Sequence, residues 1–204
     1  WVADRMFEHK HELIAPNFLG VVLVAVLVSG IVGQLLVPPL FPAQSQLFRA
    51  TFCCALVILS GIWVSTIFLS GLKEYKAIVA MFGIGYSLTV AAALGLRFMG
   101  LEGLLLGFVI GQAVLLAGML AIILRALPST RLIAFDYLRP RAMYAELVWV
   151  GLLFNVGVWS DKLVFWFSPE VSEGVIGPLR ASVIYDLPAF LAYLSIIPGM
   201  AVFL

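Results

Sequence analysis

Six stretches of about 20 residues, each nearly free of charge, most constrain what this chain can become. They are Asn17–Val37, Ala50–Ser70, Ala77–Leu96, Gly103–Leu124, Leu147–Phe167 and Ala181–Leu204. A helix rising 1.5 Å per residue needs roughly 20 residues to cross about 30 Å of hydrocarbon. No water meets the backbone inside lipid, so each stretch must be helical; an open strand would leave its amides unpaired. The polar–apolar alternation of an outer-membrane barrel is absent. The expected fold is therefore all-α, a polytopic membrane helix bundle with six transmembrane segments.

Composition points the same way. The chain of 204 residues is 63% hydrophobic and 11% charged, whereas soluble domains are about 45–50% apolar and about 25% charged. A net charge of +1 gives no ground for a nucleic-acid partner. The chain starts at Trp1 without a signal-peptide pattern and stops at Leu204 within an apolar run, so it reads as an internal piece of a longer protein. Cys53 and Cys54 are adjacent, about 100° apart on a helix. That spacing suits small packing residues better than a mutual disulfide or a metal site.

The connections carry the punctuation. Val37–Gln46 (VPPLFPAQSQ) follows the first segment, Gly71–Lys76 and Arg97–Glu102 make tight returns, and Ser168–Arg180 joins the last pair. Arg125–Glu146 is the long connector. Lys and Arg in short loops orient a membrane protein. Arg5, Lys10, Lys73, Lys76, Arg125, Arg131, Arg139 and Arg141 fall on one side, and Arg49, Arg97 and Arg180 on the other. The richer group belongs in the cytoplasm, so the chain enters from inside and the connector is cytoplasmic. It splits the helices four plus two. Its residues Arg125, Arg131, Arg139 and Arg141 are candidates for contact with anionic lipid or a soluble partner, and Phe135–Arg141 suits lying on the membrane surface.

Gly103, Gly107 and Gly111 share one helix face, with Gly118 further along, and small faces let helices approach closely. Gln112 beside them is expected to bond a neighbouring helix or line a polar cavity. Glu8–Glu12 (EHKHE) holds two histidines but no third ligand at a sensible spacing, so it reads as a solvated collar before Pro16 starts a helix. No catalytic signature is present, neither Gly-x-Ser-x-Gly, nor a phosphate loop, nor His-Glu-x-x-His. No catalytic residue, metal or cofactor is expected.

Asp161 and Lys162 interrupt the fifth segment. A central Asp or Lys costs about 2.5–3.5 kcal/mol on insertion, and an apolar residue returns about 0.3–0.6. The Leu, Val and Phe residues of Leu147–Phe167 thus nearly cancel the pair, and a partner charge would help. Lys162 lies about 7–8 Å inside Phe167, and Asp186 lies about as deep from Ala181. Lys162 can therefore face Asp186, and Asp161 can meet Arg180 at the rim. Pro188 and Pro198 disturb the last segment, so Tyr185–Pro188 reads as an opened turn bearing an acid, a feature of transporter sites. Asn155 shares a face with Lys162, with Trp159 between. Asn155, Asp161, Lys162, Tyr185 and Asp186 are the candidates for a substrate pathway. A structural ion pair is the competing reading.

Gly151–Phe167 (GLLFNVGVWSDKLVFWF), Gly177–Phe203 (GPLRASVIYDLPAFLAYLSIIPGMAVF) and Gly61–Ile78 (GIWVSTIFLSGLKEYKAI) resemble the PelG family. Its members are polytopic inner-membrane subunits of bacterial Pel exopolysaccharide systems, grouped with the multidrug/oligosaccharidyl-lipid/polysaccharide exporters. The resemblance runs along essentially the whole chain. It implies two helical lobes around a central cavity, so that the six segments belong to a larger two-lobed exporter. Residues 1–124 would end the N-terminal lobe, 125–146 form the connector, and 147–204 begin the C-terminal lobe. It further implies export of a polysaccharide substrate, with a cytoplasmic glycosyltransferase and membrane regulatory subunits as partners, at the inner membrane. The Pel polymer is a cationic amino-sugar chain, which Asp161 and Asp186 would stabilise in passage. The competing functions are a scaffold that anchors the synthase, a small-molecule or cation antiporter of the same superfamily, and a sugar-modifying enzyme.

Overall fold

The structure, a computed structural model, describes residues 5, 7–8, 11–139 and 144–192. Five long helices follow in order: α1 (Ile14–Leu40), α2 (Gln46–Gly71), α3 (Tyr75–Leu96), α4 (Leu101–Ala126) and α5 (Ala145–Phe167). Each is long and apolar enough to cross a membrane. A sixth, α6 (Val183–Ala192), is short within the described residues. The chain divides into two compact units, Trp1–Met143 and Tyr144–Leu204.

The first unit holds α1 to α4. Its core is Ile14, Phe18 and Val22 of α1, Ile62, Phe68 and Leu69 of α2, and Leu115, Met119 and Ile123 of α4. Phe18 and Phe68 rings meet at 4.4 Å. Much of the remaining apolar surface is exposed, including Leu27, Ile31, Val79 and Val90, as suits helices whose outer faces meet lipid rather than water.

The glycine stripe closes α3 against α4. A Cβ on Gly107 would come within 2.7 Å of the Ala92 carbonyl carbon, and one on Gly111 within 2.6 Å of Thr89 Cα and N. The two backbones thus nearly touch, and a side chain larger than hydrogen has no room. On the other face of this contact, a Cβ on Gly85 would meet Leu115 Cβ at 2.7 Å. Gln112 is 2% exposed and donates from Nε2 to Thr89 Oγ1 at 3.2 Å, the interhelical bond expected of it. Gly118 differs, since it meets only the end of the flexible Met81 side chain.

Helix ends depart from the expected ones, and capping explains most of it. α2 begins four residues before Ala50 because Ser45 caps it, its Oγ accepting from Phe48 N at 3.1 Å. α1 continues through Pro38 and Pro39 to Leu40, where the apolar run was expected to end at Val37. These prolines sit in the last turn, so the two helical bonds they forgo, to the Gln34 and Leu35 carbonyls, fall at the end of the helix, and Phe41 N–H still reaches Val37 O at 3.0 Å. Pro16 lies in the first turn of α1, where its missing donor costs little.

In the second unit the Ser168–Arg180 connection is not irregular. It forms an antiparallel hairpin of β1 (Glu173–Ile176) and β2 (Leu179–Ala181), pairing Glu173 with Ala181 and Ile176 with Leu179. Gly177 turns it with φ +54°, a value that suits glycine. Among the described residues this small ribbon is the one departure from an all-helical chain. α6 therefore starts at Val183 rather than Ala181, and it runs unbroken through Pro188. Tyr185–Pro188 is thus a helical turn and not an opened one. Pro198 and the rest of the expected sixth segment beyond Ala192 lie outside the described residues.

Gly107→Leu is expected to lower the thermal unfolding midpoint of the detergent-solubilised protein, since overpacking costs about 1–3 kcal/mol. Gly95→Ala, with open space around its Cβ position, is expected to leave it unchanged in the same assay.

Candidate functional site

The candidate site lies at the end of α5, where it turns through the hairpin into α6. Trp166 in the last turn of α5 donates from Nε1 to Asp186 Oδ1 at 2.9 Å. The other Asp186 oxygen accepts from the Ser182 backbone N–H at 2.8 Å. Asp186 thereby closes the first turn of its own helix, where a carboxylate also meets the positive end of the dipole. Ser182 is buried and donates from Oγ to Val171 O at 2.7 Å. Arg180 folds back on the hairpin, its Nε donating to Ser172 Oγ at 2.9 Å and its Nη2 to Ser172 O at 3.0 Å.

One turn further into α5, the Tyr185 hydroxyl donates to Asp161 Oδ2 at 2.5 Å. The Tyr185 ring stacks on Phe165 with centroids 4.7 Å apart. Lys162 Nζ stands 4.9 Å from the centroid of the Trp159 ring, a cation–π distance. Asn155 donates to Gly151 O at 2.8 Å within its own helix and is exposed. Asp161, Lys162, Tyr185 and Asp186 thus gather with Trp159, Phe165 and Trp166, whereas Asn155 stands two turns away.

Two expected ion pairs are replaced. Among the described residues, no ion pair joins Lys162 to Asp186 or Asp161 to Arg180. The hairpin is the reason. It absorbs Glu173–Ala181, so Asp186 falls in the first turn of α6 and faces the last turn of α5 at Trp166. Arg180 is held in β2 by Ser172. Both carboxylates are consequently met by neutral donors: an indole, a backbone amide and a phenol. The aromatic neighbours Trp166 and Phe165 were not among the sequence candidates. Their i, i+4 spacing from Lys162 and Asp161 was the available signal.

A second polar cluster ties the connector to α1 in the first unit. Asn17 is 1% exposed. Its Oδ1 accepts from Asp136 N at 2.7 Å, and its Nδ2 donates to Asp136 Oδ2 at 3.1 Å and to Leu13 O at 2.8 Å. Ala134 N donates to Pro16 O at 3.0 Å, and Ser129 Oγ to Glu12 O at 2.8 Å. Gly20 leaves room for this strap, since a Cβ there would meet Phe135 Cδ1 at 3.2 Å and press on the Ala134 carbonyl. A 3-10 turn at Asp136–Leu138 carries the clasp. Burial pushes the Tyr137 phenol up from its ordinary value, and among the described residues its hydroxyl finds no hydrogen-bond partner.

The connector arginines are placed separately. Arg125 is exposed in the last turn of α4, where a cation complements the dipole. The Arg131 backbone N–H donates to Ser129 Oγ at 3.2 Å. Arg139 pairs with Asp136 at 2.7 Å while remaining largely exposed. Arg141 lies outside the described residues, as do His9 and Lys10 of the Glu8–Glu12 collar. Among the described residues no group of three or more His, Cys, Asp or Glu stands together as a metal site. Cys53 is buried, Cys54 is exposed, and both are free.

Five membrane-length apolar helices, with ionisable side chains fixed near the end of one of them, define a multi-pass membrane protein. The whole chain, residues 1–204, matches the PelG family, described as "Putative exopolysaccharide Exporter (EPS-E)". The chain belongs to the PelG family, which is an exporter family and not an enzyme family. No curated protein and no solved structure gives a significant match.

Asn17→Ala is expected to release the connector. Losing the hydrogen bonds to Asp136 costs about 1–3 kcal/mol, so limited trypsin cleavage after the exposed Arg131 should accelerate about tenfold. An unchanged cleavage rate would show that the clasp does not hold the strap.

Proposed function

We propose that this chain exports an amino-sugar exopolysaccharide of the Pel type across the bacterial inner membrane, for the biofilm matrix. Family membership supports export of an exopolysaccharide; the chemistry at the α5–α6 turn supports a cationic sugar. The observation that carries this reading is the Asp161 carboxylate, exposed and held by a neutral phenol. Hydrogen bonds from neutral donors orient a carboxylate without placing a fixed cation on it, so it is open to a passing ammonium. Asp186, half-buried and bound by an indole and an amide, supplies a second carboxylate. The exposed Trp159 ring and the half-buried Phe165 ring stacked on Tyr185 offer apolar faces to sugar C–H groups, and Lys162 over Trp159 keeps the sites from binding a polycation too tightly to release. Asp161, Lys162, Tyr185 and Asp186 are the pathway residues in this reading; Asn155 lines it further along α5.

The supporting partners are a cytoplasmic glycosyltransferase that supplies the polymer and membrane regulatory subunits of the same system. The connector gives a second reading, a scaffold that anchors the synthase. Its support is the exposure of Arg125 at the end of α4 and of Arg131 and Arg139 on the strap clasped to α1. In a pulldown from membranes, replacing Arg139 and Arg141 by Ala should reduce glycosyltransferase recovery if this surface docks it. Equal recovery would remove the scaffold reading.

The transport reading is tested by Asp161→Asn with Asp186→Asn. Secreted polymer should fall about tenfold at equal protein level, because each lost ionic contact is worth about 1 kcal/mol or more. Unchanged secretion would overturn the assignment of these carboxylates to the pathway.

A further inference from the structure

A cavity of about 260 Å³ lies between the end of α1 and the start of α2, lined by Gln34, Pro38, Gln46, Arg49, Ala50 and Cys53. Its walls share single helix faces, with Gln34 and Pro38 at i, i+4 and Gln46, Arg49, Ala50 and Cys53 at i, i+3, i+4, i+7. The family's export reading makes no use of it.

The lining is polar in a strongly apolar setting. Leu27 and Ile31, which precede Gln34 on the same face of α1, are 54% and 60% exposed. Arg49 is half-buried, and among the described residues no carboxylate pairs with it. Its position is also unfavourable by itself, because a cation in the first turn opposes the positive end of the helix dipole. Glu102 hydrogen-bonds the Ser45 hydroxyl at the same helix start, which eases the dipole but leaves the guanidinium without an ion pair. On the facing wall, Pro38 has no N–H to give the Gln34 carbonyl. The cavity therefore offers a charged fork of donors on one side and a backbone acceptor on the other.

We propose that this cavity binds the headgroup of an anionic phospholipid: the phosphodiester on Arg49 and the Gln46 amide, a headgroup hydroxyl toward the Gln34–Pro38 edge, and acyl chains along Leu27 and Ile31. Guanidinium matches phosphate oxygens in a bidentate fork. Basic pockets between membrane helices take lipid headgroups in this way. The phosphate supplies the negative charge that Arg49 lacks among the described residues. Phosphatidylglycerol fits both walls, whereas phosphatidylcholine has the phosphate but no headgroup donor and no net charge.

The test is native mass spectrometry of the full-length protein in detergent, with phosphatidylglycerol, phosphatidylcholine or inorganic phosphate added. The wild type should retain phosphatidylglycerol at least tenfold more than phosphatidylcholine, and Arg49→Gln should abolish that preference. Arg97→Gln, which changes a different loop arginine, should keep it. Unfolding midpoints of both variants without lipid report on folding, and half-buried Arg49 should tolerate the change. Equal retention by Arg49→Gln, or equal retention of the two lipids, would overturn the site. Displacement of the lipid by millimolar inorganic phosphate would overturn the assignment to a headgroup and leave a free-phosphate site.

Discussion

Every backbone amide in the hydrocarbon of a bilayer has to be satisfied by the chain itself. That single requirement makes α1 to α5 long unbroken helices, and it pushes every irregular feature to their ends. Turns, caps and the small hairpin all lie between the apolar stretches, where water or polar side chains complete the hydrogen bonds. Lipid removes the hydrophobic drive between helices, so the helices must associate through close fit and a few buried polar bonds. The glycine face of α4 against α3 supplies the fit. Gln112 to Thr89 supplies a bond.

The same economy governs the ionisable groups. An isolated charge inside hydrocarbon is costly, and the turn from α5 to α6 meets its two carboxylates with hydrogen bonds, with no ion pair to either among the described residues. Trp166, Tyr185 and the Ser182 amide orient two carboxylates. In the proposed reading this suits a site that meets a moving cation, because a permanent ion pair would have to break at each encounter. The clasp between Asn17 and Asp136 serves a different end. Two part-buried hydrogen bonds fix a polar strap to the first helix.

The helices were legible because length and charge-free runs are local properties. Their ends were less so. Ser45 and the Pro38–Pro39 turn shift α2 and α1 by a few residues, and capping depends on side-chain geometry that periodicity does not carry. The hairpin at 173–181 leaves no mark in the sequence pattern because its strands are three and four residues long, too short for any alternation to register. Its effect reaches the candidate site. Depth counted from Ala181 set Asp186 against Lys162, whereas the hairpin moves the start of α6 and sets Asp186 against Trp166. Asn17 was passed over as part of an apolar run, since its partner lies 119 residues away. Gln112 was legible because a lone amide amid glycines has few ways to be satisfied other than across the seam. The family was legible in Gly151–Phe167, the stretch that also carries the charged groups.

The most direct measurement is site-directed thiol labelling from one side of the membrane. With Cys53 and Cys54 replaced, Asp161→Cys and Asp186→Cys should both react with a membrane-impermeant reagent from the non-cytoplasmic side. Both should be shielded while polymer is being exported. Labelling of the two positions from opposite sides, or labelling that export does not alter, would contradict the account.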